Sequence, residues 1–151
     1  MITGCTNKKY QANEHFKKAN EYYFKDDYVN ALKQLSLAQN LDSTNFEFHI
    51  LKAEIKTITN RQSEAIEILE MVLNKNYKAD TVSYLIAGNY FELGSHYNVE
   101  SLNSDQRDLS FRNAVRYYDN ALSKIHYTMM HIVIKSVLYI IYIGMMKHYQ
   151  V

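Results

Sequence analysis

The 151-residue chain contains no proline and only four glycines, the residues that punctuate the frequent turns of β-sandwiches and barrels. Their scarcity argues against an all-β fold and favours long helices joined by short polar turns. A single cysteine, Cys5, rules out an internal disulfide. Charge of one sign is lacking too: 17 Lys plus Arg stand against 16 Asp plus Glu, a net charge of +1. No global field draws in nucleic acid or an anionic membrane, so partners have to be recognised locally.

Patterns that carry catalysis are also missing. Gly4, Gly88, Gly94 and Gly144 are too scattered to cradle a phosphate. There is no metal-ligand run of cysteines or histidines. A cysteine nucleophile would have to be Cys5, close to the N-terminus and remote from a rigid base. Glu47 and Glu54, seven apart, share one helix face, which on a surface helix usually means solvation rather than acid–base chemistry. The chain therefore reads as non-enzymatic, with no cofactor, metal or small-molecule substrate.

What is present is a period. Ala19, Ala53 and Ala87 recur every 34 residues; Ala31 and Ala65 form a second series, which resumes at Ala114 after 34 plus 15. Leu35 and Leu69, and Ala38 and Val72, keep the same step. That is the length of one helix–turn–helix unit in a stacked array. Apolar residues at helical spacing place a first helix from about Asn13 to Phe24 and its partner along Tyr28, Leu32, Leu35 and Ala38. The pattern repeats over Phe46 to Ile58 and Ser63 to Leu73. A third unit opens at Asp80 and runs to Gly94, a residue suited to the left-handed conformation that ends a helix. There the period breaks: Phe111, Ala114, Tyr118 and Ala121 arrive fifteen positions late, so 95–109 reads as an insertion, expected to be a solvated loop or an extra helical turn. Fourteen tyrosines supply much of the apolar volume and suit helix interfaces lying half in water.

These residues resemble tetratricopeptide repeats, which place small residues at the eighth, twentieth and twenty-seventh positions and aromatics at the eleventh and seventeenth. In the first unit these are Ala19, Ala31, Ala38, Tyr22 and Tyr28, with Leu35 as the large residue at the twenty-fourth. The second unit departs at Lys56 and Gln62. Ser43, Tyr77 and His126 stand where the repeat usually has proline. The resemblance implies an all-α fold of antiparallel helix pairs stacked as a right-handed α-solenoid, with repeats near 12–45, 46–79 and 80–128 and a partial repeat at 129–151. Residues 1–11 are expected to form a flexible tail or lipid tether. His15 and His49, also 34 apart, are expected to pack between helices and satisfy one hydrogen bond each rather than bind metal.

The same resemblance implies a protein or peptide ligand in a groove lined by the first helix of each repeat. In this sequence the groove positions are Asn13, Phe16, Asn20 and Tyr23; Glu47, Ile50, Glu54 and Thr57; and Thr81, Tyr84, Gly88 and Phe91. Aromatic anchors beside the Glu47–Glu54 pair suggest a peptide with apolar and basic residues. Repeats of this kind that grip acidic chaperone termini use a basic clamp; Asn20 matches one clamp position, but Phe16, Leu51, Thr81 and Leu85 occupy the others, which argues against that ligand.

Two terminal features complete the reading. Ile2-Thr3-Gly4-Cys5 resembles the lipobox of bacterial lipoproteins, which makes Cys5 a lipidation site and the cell envelope the expected location. The alternative is a cysteine in a frayed tail of a cytoplasmic protein. The run from Met129 to Met146 is apolar nearly all round, and Lys135 leaves it short of the roughly 20 residues a membrane span needs. Ile134, Leu138, Ile141 and Tyr142 are therefore expected to be covered by a second copy or a partner. A scaffold supporting assembly of a larger complex and a structural homo-oligomer both fit.

Overall fold

A computed structural model of the chain describes residues 3–96 and 104–124, which form six α-helices with no strand among them. In order these are α1 (Thr3–Tyr23), α2 (Tyr28–Leu41), α3 (Phe46–Ile58), α4 (Gln62–Leu73), α5 (Ala79–His96) and α6 (Ser104–Lys124). Each packs on the next along the chain, most extensively within α1–α2 and α5–α6 and least between α2 and α3. The all-α expectation holds.

The local chemistry of the helix starts is read directly from the sequence. Asp27 caps α2 by accepting from the Asn30 backbone N–H at 3.1 Å, and Asn45 caps α3 by accepting from that of Glu47 at 3.1 Å. Between α1 and α2, and again between α3 and α4, the chain turns through one residue in the left-handed region: Asp26 and Asn60, both with φ 57°. The hydrogen bonds around them correspond one for one. Asp27 N–H reaches Tyr22 O at 3.0 Å and Arg61 N–H reaches Lys56 O at 2.8 Å; Asp26 N–H reaches Tyr23 O and Asn60 N–H reaches Thr57 O. This pairing of a long and a short bond across a left-handed residue satisfies carbonyls that a helix end leaves open. The 34-residue step is thus repeated in the backbone as well as in the side chains.

All the periodic alanines are buried. Ala19, Ala31, Ala38, Ala53, Ala65 and Ala87 have no solvent exposure, and Ala114 and Ala121 almost none. Two cores share α3: Phe48, Leu51 and Ile55 pack with Ala12, Ala19, Ala31 and Leu35 on one side, while Ile50 and Ala53 pack with Ala65, Leu69, Val82 and Ile86 on the other. A helix buried on two sides joins one pair to the next. His15 and His49 each meet a glutamine of α2, Gln34 at 2.8 Å and Gln39 at 3.2 Å, so both are single-bonded packing residues as expected.

Two expectations are corrected. The flexible tail over 1–11 is helical from Thr3 onward, because Ala12 extends the Phe16, Ala19 and Tyr23 stripe toward the N-terminus and is wholly buried in the first core. Gly94, at the position equivalent to Asp26 and Asn60, does not end its helix. It has no positive φ, and α5 continues through it to His96. The reason is contact: a Cβ at Gly94 would come within 3.0 Å of the Phe111 ring, so the missing side chain lets α6 lie close against α5. The insertion at 95–109 is accordingly helical at both ends, from α5 to His96 and from Ser104 in α6, while 97–103 lie outside the described residues. The partial repeat at 129–151, with Ile134, Leu138, Ile141 and Tyr142, also lies outside them.

Candidate functional site

The first helices of the three pairs, α1, α3 and α5, converge on a cleft of about 330 Å³ closed at one side by Tyr118 of α6. Four of the sequence-selected groove residues line it together, Tyr23, Glu54, Thr57 and Tyr84, and Gly88 forms part of its floor. The glycine matters at this point: a Cβ there would stand 3.9 Å from the Tyr118 hydroxyl, so any larger side chain would begin to fill the space.

The remaining candidates are drawn elsewhere. Phe16 packs at a tilt against Phe48 with ring centroids 4.9 Å apart, Phe91 sits edge-on to Phe111 at 5.6 Å, and Ile50 is buried in the second core. Asn20 donates to the Phe16 carbonyl at 2.9 Å. Asn13 and Thr81 are exposed but do not line the cleft. Glu47 accepts from the Tyr77 hydroxyl at 2.5 Å and pairs with Lys78, which ties α3 to the α4–α5 link. The Glu47–Glu54 pair therefore does not act as a unit. Glu54 enters the cleft and Glu47 is taken up by structure.

Ile58, Leu85, Asn89, Glu92 and Tyr118 line the cleft without being among the groove positions expected from the sequence. The first four lie next in sequence to the groove positions Thr57, Tyr84, Gly88 and Phe91. A step of four positions per unit samples too narrow a strip of each helix. Tyr118 carried no such signal, because its place in the period reads as packing between helices.

The electrostatics of the cleft are one-sided. Among the described residues its lining contains two carboxylates, Glu54 and Glu92, and no Lys, Arg or His. Among the described residues neither carboxylate makes a hydrogen bond or ion pair. Burial pushes the Glu54 carboxyl above the ordinary glutamate value, and the nearby Glu47 charge adds to this. The Tyr23 hydroxyl is raised by burial and by Glu54; the Tyr118 hydroxyl is raised by burial, Tyr84 and Glu92. By contrast, burial would raise Glu47, but hydrogen bonds from Lys78 and Tyr77 outweigh it and hold its carboxyl below the ordinary range.

The neutral polar groups of the floor satisfy one another. Thr57 Oγ1 donates to Asn89 Oδ1 at 2.8 Å, and Asn89 Nδ2 donates to the Leu85 carbonyl at 2.9 Å. This bridge joins α3 to α5 and fixes the spacing of the cleft walls. Tyr84 and Tyr118 meet edge-to-face, with centroids 5.5 Å apart and planes at 65°. Tyr84 stays half exposed, so the cleft opens to solvent.

Compared with known proteins, the chain matches no protein-family model and no curated protein. No three His, Cys, Asp or Glu side chains among the described residues are grouped to hold a metal ion, and no described helix is long and apolar enough to cross a membrane.

Proposed function

We propose that the chain is a non-enzymatic scaffold of the tetratricopeptide type, its helix pairs stacked as a right-handed solenoid, that binds a protein segment in the cleft between α1, α3 and α5. The observation that carries this reading is that Tyr23, Glu54 and Tyr84 come from three successive first helices and meet in one open cleft. Tyrosines bordering a concave surface bury large area with few rotatable bonds, which suits a peptide anchor. The periodic alanines and the repeated turn support the repeat register.

The test is selection of peptides from a random display library on the full chain, followed by binding to Tyr23→Ala and Tyr84→Ala. Loss of peptide binding with an unchanged oligomeric state supports the scaffold. Peptides that bind both variants as well as the parent chain would reject this cleft as the site. Attachment to a bacterial envelope through Cys5 rests on the Ile2–Cys5 pattern. Mass spectrometry of the native protein checks it, since lipidation adds acyl chains at Cys5.

A further inference from the structure

The cleft combines three features that together select one kind of side chain. Glu54 and Glu92 supply two negative charges with no positive group among the described lining residues, and Tyr23, Tyr84 and Tyr118 supply aromatic rings. Thr57 and Asn89 hydrogen-bond each other, and the Asn89 amide also donates to the Leu85 carbonyl, so both are held in place and bring no charge to the cleft. Carboxylates left without partners beside aromatic rings form an environment in which a cation gains from both.

We infer that this cleft is a subsite for an arginine side chain of the partner segment, its guanidinium held by Glu54 and Glu92 against the tyrosine rings. The inference rests on the scaffold reading and specifies its ligand. Arginine fits better than lysine for physical reasons. The guanidinium is planar, stacks on aromatic faces, meets carboxylates through two parallel N–H bonds and is more weakly hydrated than an ammonium. A cleft of about 330 Å³ also has room for the whole side chain. The raised Glu54 carboxyl fits the same picture, because the charge of an arriving cation favours the ionised form and offsets the penalty that burial places on it.

Charge complementarity decides the occupant. An acidic segment would face Glu54 and Glu92. An apolar segment would bury two carboxylates without partners, at a desolvation cost that grows with closure of the cleft. Only a basic segment uses all the groups present.

Acetyl-arginine amide is the probe, titrated into the full-length isotope-labelled chain while the backbone amides of Thr57, Gly88 and Asn89 are followed by NMR. Acetyl-citrulline amide, the neutral isostere, is the matched control. Saturable shifts at those amides with arginine and none with citrulline are expected, with affinity about tenfold weaker in Glu54→Gln. Glu54→Asp should recover part of the loss, and Glu67→Gln, an exposed change on α4, should have no effect. Equal shifts with citrulline, shifts confined to other surfaces, or unchanged affinity in Glu54→Gln would overturn the assignment. Failure of the scaffold reading is separately visible. Selected peptides that need Tyr23 and Tyr84 but lack arginine and ignore Glu54→Gln reject the subsite alone, whereas a library yielding no binder rejects the scaffold whatever acetyl-arginine amide does.

Discussion

Asp26 and Asn60 stand 34 residues apart and adopt the same left-handed backbone conformation, φ 57°, inside turns whose hydrogen bonds correspond one for one. Neither is glycine. Asp and Asn tolerate this region better than other L-residues, but a branched side chain does not. Asn60→Gly should leave stability unchanged or raise it, while Asn60→Val should lower it by about 1–2 kcal/mol. Urea unfolding of the two variants checks the pair; a Val variant as stable as the parent would mean that the turn is not held as described.

The alanines test the register at the level of packing. Ala31 and Ala65 have no exposed surface and lie on the second helix of successive pairs. A leucine at either site has to push helices apart, and overpacking of this kind costs about 1–3 kcal/mol. Both Ala31→Leu and Ala65→Leu should lower Tm by several degrees in a calorimetric scan.

The two helical glycines should respond in opposite directions. Gly88 has open space where a Cβ would go, with the Tyr118 hydroxyl 3.9 Å away, so Gly88→Ala gains helix propensity of roughly 0.5–1 kcal/mol. Gly94 has the Phe111 ring within 3.0–3.2 Å. Gly94→Val should therefore be destabilising despite removing a glycine from a helix. Urea midpoints for the two variants on opposite sides of the parent value are the expected outcome.

Much of this was legible in the sequence, and the reason is that the repeat specifies short-range structure. The alanine period placed the first two helix pairs, because a small residue at a helix crossing leaves a mark that survives variation around it. The start of α1 was misplaced because the polar run before Asn13 hides one buried alanine, Ala12. The fate of Gly94 was hidden for another reason. A glycine at the turn position reads as a helix end, and only the position of Phe111 in space shows that it serves close packing. The cleft was half legible. Tyr23, Glu54, Thr57 and Tyr84 are groove positions that the tetratricopeptide resemblance implies, whereas Tyr118 enters from the second helix of a pair and Glu47 is withdrawn by Lys78 and Tyr77, contacts that no spacing encodes.

Tyr117 reports on the junction between α4 and α6. Its hydroxyl donates to Glu70 at 2.8 Å, and its ring stacks on Tyr90 at 5.7 Å with planes 14° apart. Burial first, then the hydrogen bond to Glu70, pushes its pKa up to about 12. The folded value lies above the unfolded one, so the stability linked to this group is present below the ordinary tyrosine value of 10.0 and is lost as pH rises toward about 12. Tyr117→Phe should remove that share of the alkaline loss. Urea midpoints measured on either side of this window should fall less steeply in the variant than in the parent.

Glu47 and Glu54 lie seven residues apart on α3 and should titrate with opposite consequences. Glu54 is raised by burial and by the Glu47 charge, so its contribution to stability is fully present below the ordinary carboxyl value and is lost as pH rises through the folded value. Where the group is ionised, it opposes folding. Glu54→Gln should thus unfold at higher urea than the parent at about pH 7, with the difference shrinking in acid. Glu47 is held low by Lys78 and Tyr77, so its contribution is present above the ordinary carboxyl value and lost as pH falls through the folded one. Glu47→Gln should be less stable than the parent at neutral pH and converge with it in acid. Two substitutions on one helix that shift the pH profile in the same direction would contradict this division of roles. Opposite shifts would mark Glu47 as a structural carboxylate and Glu54 as one kept ionised at a cost to folding, the state in which it can meet a cation.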